Sequence, residues 1–165
     1  AIAERIGLPA YGVVVPGHFF VRYDDGKKQY NIETTSGGAI ATDKHYIEKF
    51  PPPSSRDSLY LKNLTPKQTL GCFFNNLGNS YADRALLDYA FDYLVKAVQI
   101  NPSLAEAHTN LGNVLLRLKR PDEAIAQYEQ ALSILGPDAT NYNNMGNAYL
   151  QLGQYDRAKD FISRP

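Results

Sequence analysis

The sequence predicts two architectures in succession: an α+β segment with a few antiparallel strands, then all-α helical hairpins, so that the chain is predominantly α overall. Three observations carry this reading. Residues 11 to 34 alternate in polarity and are rich in β-branched and aromatic types, the pattern of half-buried strands. A stiff run, Pro51-Pro52-Pro53-Ser54-Ser55, follows. Beyond it the apolar period becomes helical, and Asn-Leu-Gly-Asn at 76–79 returns at 110–113 and, as Asn-Met-Gly-Asn, at 144–147, each time after 34 residues. We place the α+β segment at 1–50, a linker at 51–64 and the helical array at 65–165. The array divides at about 65–104, 105–138 and 139–165, the last unit cut short.

In the first segment the spacing predicts strands at about 11–15, 18–24 and 27–34 and a short polar helix at about 43–50. Asp25-Gly26 is the signature of a two-residue type I′ turn. With those residues as the loop, paired positions sum to 51, which sets Phe20 opposite Asn31 and His18 opposite Glu33. Parity puts Phe19, Val21, Tyr23, Tyr30 and Ile32 on one face and His18, Arg22, Gln29, Asn31 and Glu33 on the other. Directly opposed residues lie roughly 4.5–5.5 Å apart at Cβ, so the register predicts a histidine–carboxylate pair. A carboxylate there orients an imidazole and stabilises its charged form, as the base and orienter of a nucleophilic triad do.

In the array, Phe74, His108 and Tyr142 keep the 34-residue step, as do Ala90, Ala124 and Ala158. Gly78, Gly112 and Gly146 are expected where the two helices of a unit touch, with the alanines serving the same approach from the second helix. Leu77, Leu111 and Met145 are expected to fill the space between units. Thr65-Pro66-Lys67-Gln68 reads as a capping box with proline at the first helical position. Ser103-Leu104-Ala105-Glu106 reads as a second box, and Asp138 as an N-cap. A unit of this kind cannot bury its apolar face alone, and about three are needed for a stable stack. The third unit ends at Ser163-Arg164-Pro165 with no polar capping helix, which points to truncation or a partner.

Composition narrows the functional classes. Lys plus Arg number 17 and Asp plus Glu number 17, and the balance holds on both sides of Tyr60, so no basic surface for nucleic acid or anionic membrane is expected. Hydrophobic residues make up 44%, enough for a packed core. No run reaches the roughly 18 apolar residues of a spanning helix. The single cysteine, Cys72, excludes an internal disulfide framework and a cysteine-built zinc cage and fits a reducing compartment, so we place the protein in the cytoplasm. No cofactor or metal site is expected. Cys72 is read as a free thiol near a groove rim, His45 as part of a polar helix and His108 as a core histidine. The chain opens mid-pattern at Ala-Ile-Ala-Glu and is read as a piece of something longer.

The 34-residue helix–turn–helix unit resembles the tetratricopeptide repeat over about residues 65 to 165. That resemblance implies a protein-binding scaffold whose first helices line a concave groove at the fifth, sixth and ninth positions of each unit. Here these are Asn75, Asn76 and Asn79; Thr109, Asn110 and Asn113; and Asn143, Asn144 and Asn147. An amide offers donor and acceptor together and suits a peptide backbone whatever its side chains. The family's carboxylate clamp needs lysines and an arginine, and this sequence has Asn75, Thr140 and Asn144 where those cations are expected. An extended neutral peptide or a partner protein is therefore the expected ligand. Ala3 to Pro9, Val15-Pro16-Gly17-His18-Phe19 and Asn31 to Gly38 resemble the later part of a transglutaminase-like domain, in the bacterial branch that carries tetratricopeptide repeats. The resemblance implies a Cys-His-Asp triad, of which His18 matches the histidine and Glu33 stands at the aspartate. Its cysteine would lie upstream of Ala1, so this chain as given is expected not to be an enzyme, the parent being a cysteine-dependent one. An incomplete sheet and an uncapped stack expose edges that favour homo-oligomers.

Overall fold

The computed structural model describes residues 5–34, 37–55 and 58–164, which form two compact units. Ala3-Glu4 and Thr35-Ser36 of the N-terminal motifs, Arg56-Asp57 of the expected linker and the terminal Pro165 lie outside the described residues.

The first unit takes Ala1–Pro53 and Leu59–Thr69. Its sheet has four antiparallel strands in the order β1 (Ala10–Val15), β2 (His18–Asp24), β3 (Gln29–Ile32) and β4 (Ile40–Ala41). Valines 13 to 15 stiffen β1, and Pro16-Gly17 turns the chain, with Gly17 at φ 68°. One face carries Val13, Val15 and Phe20, and helix α1 (Asp43–Lys49) covers it by laying Tyr46 flat on Phe20, centroids 4.1 Å apart. Thr42 caps α1 as an N-cap threonine does, accepting from His45 N. The outer edge of β1 is not left open. Leu61 N donates to Val14 O and Leu64 N donates to Gly12 O, so residues 60–64 run along it. Gly12 is required there, because a Cβ would stand 2.7 Å from Thr69 Oγ1 and 2.8 Å from the Phe19 ring.

The β2–β3 register differs from the one expected. Val21 pairs with Ile32 and Arg22 with Asn31, so paired positions sum to 53 and Phe20 is not opposite Asn31. The turn is longer than two residues: Asp25 Oδ1 accepts from Lys27 N and Lys28 N, and Asp24 Oδ1 from Gly26 N. A type I′ turn needs positive φ at both central residues, and only Gly26, at 81°, has it. A shift of two preserves parity, so the faces stand as read.

The second unit takes Ser54–Ser58 and Leu70–Pro165. Its helices are α2 (Pro66–Asp83, entering from the first unit's residues), α3 (Leu87–Ile100), α4 (Ala105–Arg117), α5 (Pro121–Leu135), α6 (Ala139–Gln151) and α7 (Tyr155–Ile162). The Thr65–Gln68 box forms reciprocally, Thr65 N donating to Gln68 Oε1 and Gln68 N to Thr65 Oγ1. Asp138 caps α6 through Asn141 N. The box expected at Ser103 does not form: Leu104 occupies the N-cap without a side-chain bond, because its side chain is drawn into the core. Within each hairpin the turn closes on a left-handed residue at the same step, Ala85, Lys119 and Gly153. Each turn is tied by a bond spanning five residues, Leu86 N to Tyr81 O, Arg120 N to Leu115 O and Gln154 N to Tyr149 O.

Hairpin closure rests on three glycine contacts that repeat with the sequence. A Cβ on Gly78 would lie 2.6 Å from Leu94 Cγ, on Gly112 2.5 Å from Tyr128 Cε1, and on Gly146 2.4 Å from Ile162 Cγ1. Ala90, Ala124 and Ala158 are buried beside them. Leu111 and Met145 are buried as expected, whereas Leu77 in the first repeat is only partly buried. No described helix is long and apolar enough to cross a membrane.

These distances set an expectation for Gly112→Ala. The methyl must push the fully buried Tyr128 ring off its position, at about 1–3 kcal/mol. The better helix propensity of alanine returns at most about 1 kcal/mol. Urea denaturation is expected to show net destabilisation of about 1–2 kcal/mol, whereas an unchanged midpoint would mean that the contact is not close.

Candidate functional sites

The His18–Glu33 pair is present in the first unit, although the register does not set the two residues face to face. His18 Nε2 lies 3.0 and 2.9 Å from the two Glu33 carboxylate oxygens. The register puts Glu33 level with Phe20, one diagonal step from His18, a separation of about 7–8 Å that only a long side chain spans. That is a physical reason for glutamate where the resemblance implies aspartate. Tyr46 donates its hydroxyl to Glu33 Oε1, and Phe50 stacks on the imidazole at 5.7 Å and 8°. Burial works to raise the Glu33 pKa, but the bonds from Tyr46 and His18 and the nearby charges of His18 and Lys49 outweigh it, and the carboxyl sits below its ordinary value. Burial and the bond to Glu33 push the Tyr46 phenol up. The result is an aromatic-walled, carboxylate-oriented imidazole.

Beside it lies a buried cation that the sequence reading did not single out. Arg22 is 4% exposed and is satisfied on all sides. Nε donates to Asn31 Oδ1 (2.7 Å), Nη1 to Leu61 O (2.8 Å) and Nη2 to Asp43 Oδ1 (2.6 Å). Asn31 Nδ2 donates to the same Asp43 oxygen and Gln29 Nε2 to the other. One guanidinium thus ties β2, β3, the start of α1 and the 61–63 segment together. The signal available in the sequence was an arginine amid a strand's inward-facing positions, a place that requires fixed partners.

Cys72 is not at a rim. It is 3% exposed, and burial first, then the Glu106 charge, push its thiol up to about 12. The apolar packing of α2 takes it inward, and it is free but poorly suited to form a thiolate. His45 is exposed on α1. His108 is buried, its Nε2–H donating to Pro102 O and its Nδ1 meeting the Gln127 amide at 2.9 Å. Among the described residues no group of three His, Cys, Asp or Glu could hold a metal ion.

The asparagines of the first helices fall into two sets. Some bond across repeats: Asn110 Nδ2 donates to Asn75 Oδ1 (2.9 Å) and Asn144 Nδ2 to Asn113 Oδ1 (3.1 Å), which also accepts from Tyr128 OH (2.9 Å). Asn75 is buried by this, a position where an exposed groove amide was expected. Asn79, Asn143 and Asn147 are exposed and carry no side-chain bond. Asn76, also exposed, accepts only a 3.4 Å bond from Asn75. Thr109 Oγ1 adds another cross-repeat bond, to the buried Asn141. Helix α6 has no charged residue, and α4 has only Glu106 in its first turn and Arg117 in its last, the latter donating to Ala82 O. The face is amide-rich and nearly free of charge.

Comparison with known proteins agrees with the helical-repeat fold. A model of the tetratricopeptide repeat matches residues 69–136 and 103–164, and a model of the transglutaminase-like superfamily matches residues 1–71. The TPR repeat-containing thioredoxin TDX of Arabidopsis thaliana is 35% identical over 71 residues, 43% of this chain and 19% of that relative's own length. This chain thus spans only a small part of that relative. A crystal structure of MamA protein superposes with a TM-score of 0.54 at 28% identity, over 56% of this chain and 50% of that one. The first TPR of Spaghetti (RPAP3), bound to the HSP90 peptide SRMEEVD, shares the fold with a TM-score of 0.53 at 23% identity, over 55% and 72%.

The Glu33 carboxyl yields a pH expectation. Its pKa is lower folded than unfolded, so the stability it contributes is complete above the ordinary glutamate value of 4.5 and is lost as pH falls through the folded value. Thermal melts of the first unit's transition are expected to drop across that acid range. In Glu33→Gln the drop should shrink and the neutral-pH stability should be lower. An identical acid profile in the variant would contradict the assignment.

Proposed function

Because the chain belongs to the tetratricopeptide repeat family, we propose that its helical array is a protein-interaction module that holds an extended, uncharged peptide segment of a partner against Asn76, Asn79, Asn110, Asn113, Asn143, Asn144 and Asn147, with Asn75 as their buried support. One observation carries this: amides bonded across repeats keep their other half free. Asn110 and Asn144 donate inward and retain Oδ1, while Asn113 accepts inward and retains Nδ2. The surface thus offers acceptors and donors together, which is what a peptide backbone requires. Neutral amides also give up less solvation on burial than charges do. The fold held by Spaghetti carries a peptide with three acidic residues, but this chain's groove helices supply no cationic cluster, so the ligand class proposed is different.

A second reading concerns the first unit. The His18–Glu33 bond and the match to the transglutaminase-like superfamily support an acyl-transfer or hydrolase centre in the parent protein, with His18 as base, Glu33 as its orienter and a cysteine supplied from outside this chain. Cys72, buried with its thiol pushed up to about 12, does not serve as that nucleophile. In this chain the pair stands as an incomplete triad.

The groove reading is tested without disturbing the fold by replacing the amides that bond nothing. Asn79→Ala, Asn143→Ala and Asn147→Ala combined should leave the thermal melt within about 1 °C. The same variant should weaken binding of peptides selected from a random library by at least tenfold, about 1.4 kcal/mol. By contrast, Asn110→Ala should also destabilise, since it leaves the buried Asn75 oxygen without its donor, at about 1–3 kcal/mol. Peptide binding undiminished in the triple variant would refute the groove assignment.

A further inference from the structure

Away from the groove, the first repeat presents a face that its successors keep covered. Leu104, at the cap of α4, and Ala107, Leu111, Val114 and Leu115 along it are buried, and α4 packs against α3 of the preceding repeat as well as against its own partner α5. One 34-residue step earlier on α2 the same positions are Leu70, Phe73, Leu77, Ser80 and Tyr81. Ala107 is 0% exposed, whereas Phe73 is 63% exposed.

The chemistry of the face changes as well. In the second repeat His108 and Gln127 form a hydrogen-bonded polar pair at this surface. Their counterparts in the first repeat, Phe74 and Tyr93, form a ring stack at 6.1 Å. Tyr93 stacks in turn on Tyr81 at 5.4 Å and 1°, and Tyr81 on Tyr89 at 5.4 Å. Tyr89, which stands where the second repeat has Glu123, is 58% exposed. A continuous aromatic row, with Leu70 beside it, therefore replaces a polar and small-residue surface. Rigid aromatic rings with a hydroxyl at one end are the side chains that anchor protein interfaces.

We propose that this face of α2 and α3 docks an amphipathic α-helix of a partner protein, laid along α2 as α3 is laid along α4. The occupant is a helix because α3 packs along α4, where Leu104 and Ala107, the counterparts of Leu70 and Phe73, are buried; Glu123, the counterpart of Tyr89, is exposed, so Tyr89 stands at the margin of the docked helix. Its apolar stripe must carry small residues opposite Phe73, since the phenyl ring stands where the next repeat needs only the alanine methyl to admit a helix. Lys96, whose Nζ lies 5.1 Å from the Tyr93 ring centroid, puts a positive charge at the margin and favours an acidic residue at the helix edge.

The test uses the full chain and a displayed library of amphipathic helices, with Phe73→Ser and Tyr89→Ser as separate variants. Both side chains are more than half exposed, so unchanged thermal melts are expected and serve as the folding control. Selected helices should bind the parent chain, lose at least tenfold in affinity to Phe73→Ser and less to Tyr89→Ser at the margin, and bind the Asn79/Asn143/Asn147 triple variant undiminished. The proposal is overturned if no helix is selected or if the selected helices ignore Phe73→Ser. It is also overturned if sedimentation shows a dimer of the parent chain that Phe73→Ser converts to monomer, because a second copy would then be the occupant. Loss of binding in the triple amide variant would return the site to the groove.

Discussion

The helical array depends on how closely the two helices of each hairpin approach one another. At Gly78, Gly112 and Gly146 the space a side chain would need is already taken by Leu94, Tyr128 and Ile162, themselves spaced by 34 residues. This contact fixes the angle of each hairpin, and the angle decides which positions of the first helix face inward and which face the next repeat. The asparagines reach across repeats to one another because the stacking that follows brings positions 31 to 35 residues apart within hydrogen-bonding distance.

The first unit is organised on a different principle. Its sheet is small, and its central polar feature is the Arg22 guanidinium, with the Asp43 carboxylate as its charged partner and three neutral oxygens completing the shell. Such a group is tolerable only when every donor is used, because an uncompensated buried charge is far more costly than the pair is favourable. The same strand presents Phe20 and His18 to the face that α1 covers, so the structure that satisfies Arg22 also seats Tyr46 and Phe50 around the imidazole.

What was legible in the sequence follows from how local each feature is. The repeat could be read because one packing problem recurs three times at a fixed step. Glycine, alanine and the large residue between them are each solutions to that problem. The face parity of β2 and β3 was also legible, since alternation is a property of the strand itself. The register was not, because two aspartates capturing three backbone N–H groups widened a turn that the Asp-Gly pair alone would make tight. Ser103 failed as a cap for a tertiary reason, the burial of Leu104. The partners of Arg22 and Glu33 come from segments 9 to 41 residues away, and no local pattern announces them.

In the proposed complex neutral amides, not charges, receive the partner. The most direct test is to follow the asparagine side-chain NH2 signals of the labelled chain by NMR while a library-selected peptide is added, at low and at high salt. The account predicts that Asn79, Asn113, Asn143 and Asn147 shift together, to the same extent at both salt concentrations. Shifts confined to the first unit, or affinity that collapses in salt, would contradict it.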